Sequence, residues 1–271
     1  MPFMNPIYNL RRSIYYALRR LILIIPNFIF SKKDHKYLFI LSPPFSGSTL
    51  LNQIISSSKN VSCNNNIGTR EGQTLPGVKK IMFDKKRWDE KKQIPWKKIK
   101  KIWRSHWFLK KPILLDKSIT NIMRVNQLKD VFYPNYFICM VRNPYAICEG
   151  VMRRSNKSAE VAAKFTIKCF KYQMKNIKSH KDILFFSYED LCENTTNTIN
   201  KIKQHINKLD DINTNQKFNA HNFKTKKSMH ITNLNYEKIN KIQQKDLLII
   251  NKYFRESKDV LDFFNYDIIS Y

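Results

Sequence analysis

The chain has 271 residues, of which 42% are hydrophobic and 13% aromatic, a composition that excludes an intrinsically disordered protein. The formal net charge of +28 indicates either an anionic partner or a compositional bias, because Lys accompanies abundant Asn and Ile. The positive charge is spread along the chain, and no aromatic-basic recognition signature occurs, so we expect no specific nucleic-acid binding.

Residues 1–34 form a basic, amphipathic N-terminal segment. A continuous apolar run covers only residues 21–25, which Arg19 and Arg20 precede and Pro26 follows. A bilayer span needs about 20 apolar residues, so this segment is too interrupted to cross a membrane. It also lacks the small-residue cleavage site of a signal peptide. Two alternatives stay open: a helix packed on the domain, or a peripheral helix lying on an anionic membrane.

Four short apolar runs predict buried strands. They are residues 37–41 (YLFIL), 112–115 (PILL), 136–141 (YFICMV) and 182–188 (DILFFSY). Helical periodicity is found between and after these runs. The predicted helices are residues 48–57, 121–128, 144–154, 158–177 and 247–264. Residues 59–111, rich in Lys and Trp, are predicted to be irregular.

Apolar strands that alternate with helices imply a central parallel sheet covered by helices on both faces. No Gly/Ser/Pro-rich linker divides the chain, so residues 35–271 are predicted to form one domain. Ligands of such sheets bind beyond the carboxyl ends of the strands. We therefore expect residues 43–49 and 142–150, which each follow a strand, to meet at one site.

The spacing of the five cysteines gives an expectation for metal binding and for the compartment in which the protein is found. They contain no CxxC pair and no His partner at zinc spacing, so we expect no metal site. An odd, scattered set also does not indicate a disulfide framework. A reducing, cytoplasmic location fits this pattern.

The loop after the first predicted strand has the composition of an anion site. A short turn with Gly47 leads into a helix that Ser48 and Thr49 open. Free backbone N–H groups and the helix dipole attract an anion at such a helix start, and the two hydroxyls add donors. An ordinary strand-to-helix turn has the same local pattern. The nucleotide-kinase loop GxxxxGK[ST] is absent, which argues against a kinase or triphosphatase.

Four motifs follow one another along the chain: residues 43–51 (PPFSGSTLL), 115–118 (LDKS), 138–150 (ICMVRNPYAICEG) and 186–191 (FSYEDL). In this order they resemble the motifs of the sulfotransferase family. Residues 43–51 resemble its 5′-phosphosulfate loop, and residues 138–150 resemble its 3′-phosphate motif. Residues 115–118 (LDKS) are similar to the Glu-Lys-Ser/Thr element, and residues 186–191 (FSYEDL) to the Tyr-Glu-Asp-Leu element. The resemblance is to broad bacterial and tyrosylprotein-type members. It implies the P-loop-like three-layer α/β fold.

The resemblance also implies an activity. The co-substrate would be 3′-phosphoadenosine 5′-phosphosulfate (PAPS), and its sulfuryl group would pass to an acceptor hydroxyl. The acceptor class stays open among glycan, tyrosine, lipid and small alcohol. The positions implied to bind the co-substrate are Phe45, Ser46, Gly47, Ser48, Thr49, Arg142, Gly150 and Tyr188. The Arg142 guanidinium can fork onto a phosphate, and Tyr188 would lie near the adenine.

Two residues depart from the family pattern. Phe45 stands where the family usually has a Lys or Arg that stabilises charge on the transferring group. Gly150 stands where the family has a Ser that binds the 3′-phosphate. Lys117 is the candidate substitute for the missing cation. The two departures also motivate an alternative function, a catalytically impaired relative that binds PAPS or its product as a sensor or scaffold.

The acceptor hydroxyl must lose a proton, so a general base is expected near the loop. Glu71 is our candidate, because tyrosylprotein-type relatives place a catalytic Glu and a neighbouring Arg at this point. A solvated loop Glu has the same local pattern. His106 and His221 are the rival bases by residue type. Lys224, Lys226 and Lys227 are candidate contacts to the 3′-phosphate.

Overall fold

The structure is a computed structural model that describes residues 6–220 and 227–270. Its described part contains a five-stranded parallel sheet in the order β2-β3-β1-β4-β5. The strands are β1 (Lys36–Leu41), β2 (Val61–Cys63), β3 (Ile113–Asp116), β4 (Asn135–Val141) and β5 (Ile183–Ser187). A separate antiparallel pair consists of β6 (Phe218–Ala220) and β7 (Lys227–Met229). The predicted parallel sheet is confirmed.

Helices follow the strands in alternation. The first half of the chain has α1 (Pro6–Ile29), α2 (Ser48–Ile55), α3 (Lys79–Met82), α4 (Trp96–Arg104) and α5 (Val125–Val131). The second half has α6 (Pro144–Ser155), α7 (Ala159–Ser179), α8 (Tyr188–Glu193), α9 (Thr195–His205), α10 (Asn235–Ile239), α11 (Gln244–Arg255) and α12 (Lys258–Phe263). Two 3₁₀ segments cover Gly72–Thr74 and Ile119–Met123.

Both faces of the sheet are buried, because β1 is apolar from Tyr37 to Leu41 and β4 from Tyr136 to Val141. Phe39 of β1 points to one face and packs on Trp103 and Phe132. The next residue, Ile40, belongs to the core of the other face, together with Leu51 of α2. Successive side chains of a strand point to opposite faces, so an unbroken apolar run requires helices on both sides. This is the three-layer arrangement predicted from the sequence.

Some predicted boundaries were wrong. Residues 59–111, predicted as irregular, contain the edge strand β2 and the helices α3 and α4. β2 has three residues, which is too short to produce a periodic signal. The predicted helix of residues 247–264 is two helices, and Ser257 separates α11 from α12. The five cysteines are free thiols in the structure.

The N-terminal helix α1 packs along the domain. Tyr16 and Leu23 are buried against it. Arg19 donates from Nη2 to the Cys63 carbonyl oxygen at 2.6 Å, and Asn27 donates from Nδ2 to the Trp107 carbonyl oxygen at 2.8 Å. These bonds place one face of α1 on the domain. Across residues 6–220 and 227–270, no helix combines the length and apolar character that a membrane crossing requires.

Candidate active site

The loops after β1 and β4 lie side by side. The two strands are neighbours in register, with Leu41 opposite Cys139, so both loops leave the sheet at the same edge. Arg142 donates from Nη1 to the Phe45 carbonyl oxygen at 3.2 Å. Both residues line one cavity of about 660 Å³, a volume typical of small-molecule sites. The two loops singled out in the sequence therefore face one cleft.

The loop after β1 adopts a left-handed backbone twice before α2 begins. Phe45 has φ 67° and Gly47 has φ 84°. A Cβ at Gly47 would lie 2.5 Å from the Tyr188 ring, so a glycine is required there. α2 then starts at Ser48 with no side-chain cap and no acidic residue in its first turn. Because the first N–H groups of a helix lack intrahelical acceptors, this helix start can bind an anion in the cavity that Ser48 and Thr49 line.

Two buried polar groups at these loops have no hydrogen-bond partner among the residues that the structure describes. They are the Ser46 hydroxyl and the Nη2 of Arg142. An unsatisfied buried donor costs about 1–3 kcal/mol, so native proteins rarely keep one without a reason. Arg142 lines the cavity, so a ligand there can satisfy its free Nη2.

Lys117 links the loop to Glu71. Its Nζ donates to Thr49 Oγ1 at 3.1 Å and lies 3.4 Å from Glu71 Oε1. Burial lowers the pKa of Lys117, and the Glu71 carboxylate opposes that shift. Glu71 Oε2 also accepts from Gln73 Nε2 at 2.5 Å. A cation and a carboxylate, both buried and both lining the cavity, thus lie beside the first turn of α2.

Asp116, the last residue of β3, holds this part of the site in place. Its fully buried carboxylate accepts hydrogen bonds from the segment after β2, from the segment that carries Glu71, and from the segment after β3. The donors include Asn64 Nδ2 at 2.8 Å, Gly72 N at 3.0 Å and Ser118 N at 3.0 Å. One carboxylate therefore joins the chain segments that position Glu71 and Lys117.

Arg142 is 4% exposed and is held by several contacts. Its guanidinium carbon lies 4.0 Å from the centroid of the Tyr188 ring, in a cation–π arrangement. Its Nε donates to Asn235 Oδ1 at 2.6 Å. Burial lowers the pKa of Arg142, but a guanidinium stays charged at any pH a protein tolerates. The side chain is a buried, hydrogen-bonded cation at the cavity wall.

Tyr188 fastens the C-terminal segment over the site. Its hydroxyl donates to the Thr232 carbonyl oxygen at 2.9 Å and accepts from the Leu234 backbone N–H at 3.2 Å. The side chain of Asn235 also donates to the Glu189 carboxylate. Burial raises the pKa of Tyr188, so the hydroxyl stays protonated. The ring lines the cavity, and its polar end positions the chain that closes it.

Gly150 and Glu149 lie on α6 beside these loops. A Cβ at Gly150 would lie 2.6 Å from Cγ of Phe45, whose ring covers this glycine. Glu149 pairs with Lys238 at 3.1 Å and also with Arg153. Burial alone would raise the pKa of Glu149, but these two cations lower it. Burial lowers the pKa of Lys238 to about 8.

Another part of the cavity wall is apolar. It is formed by Phe83, Trp88, Ile119, Val151 and Phe165. The Trp88 and Phe165 rings meet edge to face, with centroids 4.9 Å apart. Arg87 lines the same wall, and its guanidinium carbon lies 4.3 Å from the Phe83 ring centroid. The cavity thus combines a cationic, N–H-rich side with an aromatic side.

The structure separates several other sequence candidates from the cavity. His106 is buried under α1, where its ring meets Tyr16 with centroids 5.8 Å apart. Burial lowers the pKa of His106 to about 4, and it does not line the cavity. Arg70, next to Glu71, donates instead to Asn52 Oδ1 at 2.5 Å.

The remaining candidates lie outside the described residues. These are His221, Lys224 and Lys226 and the side chain of Lys227.

Three residues of the site were not found from the sequence. They are Asn235, which bonds Arg142, Lys238, which pairs with Glu149, and Asp116. Asn235 follows the short run of residues 231–234 (ITNL) and is marked by no motif, and Asp116 precedes Lys117 in the LDKS motif. Lys238 carries no local signal, because any exposed helix contains similar lysines.

The fold and this cleft define an α/β protein with a cavity at the carboxyl edge of its sheet, lined by Arg142, Lys117 and the start of α2. A sequence model described as "Sulfotransferase family" matches residues 38–208, more than half of the chain. The chain therefore belongs to the sulfotransferase family. No curated protein matches it significantly.

Several solved structures have a similar fold. The sulfotransferase domain from the Synechococcus PCC 7002 olefin synthase is 19% identical, with a TM-score of 0.53, over 88% of this chain and 97% of that one. Sulfotransferase STF9 from Mycobacterium avium is 9% identical, with a TM-score of 0.52, over 99% and 88%. Sulfotransferase STF1 from Mycobacterium tuberculosis H37Rv is 7% identical, with a TM-score of 0.51, over 92% and 84%. At such identities the likeness shows the fold.

Proposed function

We propose that this protein transfers the sulfuryl group of PAPS to a hydroxyl of its acceptor. The observation that carries the proposal is that one cavity is lined both by the start of α2 and by Arg142, whose buried Nη2 has no partner among the described residues. Each of the two can serve as an anion site. PAPS bears two separate anionic groups, the 5′-phosphosulfate and the 3′-phosphate. A cleft with two anion sites fits such a nucleotide better than a ligand with one phosphate.

The binding roles follow from the contacts. Backbone N–H groups of residues 47–49 would hold the 5′-phosphosulfate, as helix starts hold phosphates elsewhere. The predicted contact from Ser46 is not part of this proposal, because its N–H donates to the Pro43 carbonyl oxygen. Arg142 would donate to the 3′-phosphate, with Lys238 adding charge from α10. Gly150 contributes no hydroxyl, and the Phe45 ring covers it. Tyr188 would position Arg142 and line the nucleotide site.

PAPS supplies an activated sulfuryl group, and the chain must position the acceptor and manage one proton. Glu71 would take the proton of the acceptor hydroxyl on a carboxylate oxygen. Lys117, hydrogen-bonded to Thr49 in the first turn of α2, would stabilise the negative charge that develops on the leaving phosphate. In this proposal Lys117 takes the role of the cation that is missing at position 45.

The apolar wall supports an acceptor with an apolar body around its hydroxyl. Phe83, Trp88 and Phe165 offer aromatic surface and few hydrogen-bond partners. Of the acceptor classes left open by the sequence, a phenol, lipid or apolar alcohol suits this wall better than a glycan, whose hydroxyls would lose hydrogen bonds with water.

An impaired, nucleotide-binding relative is the alternative that Phe45 and Gly150 raise. The buried Lys117 supports the enzyme instead, because it provides a cation beside the loop. Incubation with ³⁵S-labelled PAPS and a panel of phenols and apolar alcohols decides between them. We expect labelled product with some acceptors. Binding of the product nucleotide without transfer to any acceptor would favour the sensor, and no nucleotide binding would reject both.

A reducing, cytoplasmic location is part of this proposal. All five cysteines are unpaired, which supports a compartment where thiols stay reduced.

A further inference from the structure

Helix α1 turns an apolar face toward solvent. Nine of its large hydrophobic side chains are at least half exposed, and Phe28 reaches 82%. They are Leu10, Ile14, Leu18, Leu21, Ile22, Ile24, Ile25, Phe28 and Ile29. Single exposed hydrophobic residues are ordinary on protein surfaces, whereas a contiguous patch of this size marks an interaction site.

The face of α1 that meets the domain is the more polar one. Arg19 donates to the Cys63 and His106 carbonyl oxygens, at 2.6 and 2.9 Å. The Asn27 side chain donates to the Trp107 carbonyl oxygen at 2.8 Å and accepts from the Leu109 backbone N–H at 2.8 Å. A surface helix ordinarily buries its apolar face and exposes its polar face. Here the inner hydrogen bonds fix the helix with its apolar face outward.

The shape of the exposed face of α1 indicates whether it binds a second copy of the chain or a membrane. Ile14, Leu18, Leu21, Ile25 and Phe28 recur at alternating spacings of four and three residues, the pattern of a coiled-coil seam. Three points argue against pairing with a second copy. The pattern spans only about two heptads, fewer than the three or four that a stable seam needs. Ile22, Ile24 and Ile29 widen the face beyond a seam.

Charge is the third point. α1 contains no Asp or Glu, and Arg11 and Arg20 are exposed on it. Lys32 and Lys33 are exposed directly after its end. A second copy would bring like charges together, whereas an anionic surface would neutralise them. A basic helix with a broad apolar face is the type that lies in the headgroup region of anionic membranes.

We propose that α1 docks the protein on an anionic phospholipid membrane. The helix lies in the plane of the membrane interface, its exposed isoleucine, leucine and phenylalanine side chains enter the boundary of the acyl chains, and Arg11 and Arg20 meet lipid phosphates. This is a peripheral contact. It does not depend on sulfuryl transfer.

Co-sedimentation of the full chain with lipid vesicles tests the proposal. We expect binding to vesicles of phosphatidylcholine mixed with phosphatidylserine, weak binding to phosphatidylcholine alone, and a loss of binding as salt is added. The pair Leu18→Gln/Ile25→Gln should lower the partition coefficient by roughly tenfold to a hundredfold, because two apolar side chains no longer leave water.

A matched control is available on α11. Leu248 is 54% exposed, as is Leu18, and Ile249 is 41% exposed. The pair Leu248→Gln/Ile249→Gln should bind vesicles like the wild type. All four positions are surface sites, so thermal unfolding should be little changed in both variants. Equal vesicle binding by the two variants would overturn the proposal. The proposal would also be overturned if the protein did not bind vesicles and light scattering showed a dimer that the Leu18→Gln/Ile25→Gln pair abolishes.

Discussion

The ring of Phe45 occupies the space that a side chain at position 150 would fill. A Cβ at Gly150 would lie 2.6 Å from Cγ and 2.7 Å from Cβ of Phe45. The two residues that depart from the sulfotransferase pattern are therefore in contact, and the second departure accommodates the first. A serine at position 150 would overlap with the Phe45 ring where it now lies, so the two cannot occur together.

This contact can be tested through stability. Gly150→Ala should raise helix propensity in α6 by about 1 kcal/mol, yet it creates an overlap with a Cβ that cannot move without the backbone. Overpacking of this kind costs about 1–3 kcal/mol, so we expect a net loss of stability in urea unfolding. Ser155→Ala, at the exposed end of the same helix, is the control and should not destabilise.

The same contact predicts a coupling. Phe45→Gly removes the ring and suits a backbone with φ 67°, where glycine is unstrained. In that background Gly150→Ala should cost less than in the wild type, giving a double-mutant interaction energy of about 1 kcal/mol or more. Additive effects of the two substitutions would show that the contact does not constrain position 150.

Nucleotide binding should depend on Arg142. Arg142→Ala should weaken binding of the product nucleotide, 3′-phosphoadenosine 5′-phosphate, by about 2–3 kcal/mol, the scale of a charge-assisted contact to a partly buried anion. Arg142→Lys should recover part of the lost affinity, because a lysine keeps the positive charge but cannot form the bidentate hydrogen bonds of a guanidinium. Calorimetric titration measures both. Arg255→Ala, on the exposed end of α11, should bind normally, and unchanged affinity of Arg142→Ala would reject the assigned role.

Substitutions of Glu71 and Lys117 should lower kcat. Glu71→Gln keeps the shape but cannot accept a proton, so kcat should fall by about 10²–10⁴ while affinity for the product nucleotide changes little. Lys117→Met should lower kcat by about 10²–10³ through the loss of a preorganised cation. Glu160→Gln, on the surface of α7, serves as the control. If Glu71→Gln retained full turnover, the base would have to be sought elsewhere.

Phe45→Lys tests whether position 45 lacks a catalytic cation. If it does, the new lysine should raise kcat by about tenfold, less than a preorganised donor contributes. If Lys117 already supplies the charge and Phe45 shapes the acceptor site, the variant should raise KM with flat or lower kcat. The structure favours the second result, because Lys117 already bonds Thr49 in the loop-to-helix start. Steady-state kinetics with a confirmed acceptor distinguish the two.

Lys238 should make nucleotide binding pH-dependent. Its folded-state pKa is lowered to about 8, so its positive charge is lost as the pH rises through that value, where an ordinary lysine stays charged. Affinity for the product nucleotide should therefore fall between about pH 7 and about pH 9. Lys238→Arg should flatten the profile. A wild-type profile that is already flat over this range would exclude Lys238 from the binding site.

The order of strands and helices could be predicted from the sequence because its signals are local. An apolar run of five residues and a helical period each depend only on residues that are close together along the chain. The loops at residues 43–49 and 142–150 followed from the rule that parallel strands end at one edge. The hydrophobic pattern did not reveal β2, which has only three residues. It also did not reveal the break at Ser257 between α11 and α12.

Contacts between distant segments were decided only by the tertiary structure. Arg142 meets Asn235 across 93 residues, and Lys117 meets Glu71 across 46. No periodicity connects such pairs, because their distance depends on how the sheet and its helices pack. The exposure of α1 is of the same kind. The sequence determined that this helix is amphipathic and basic, but which face turns outward was decided by the hydrogen bonds that Arg19 and Asn27 make to backbone carbonyls of the domain.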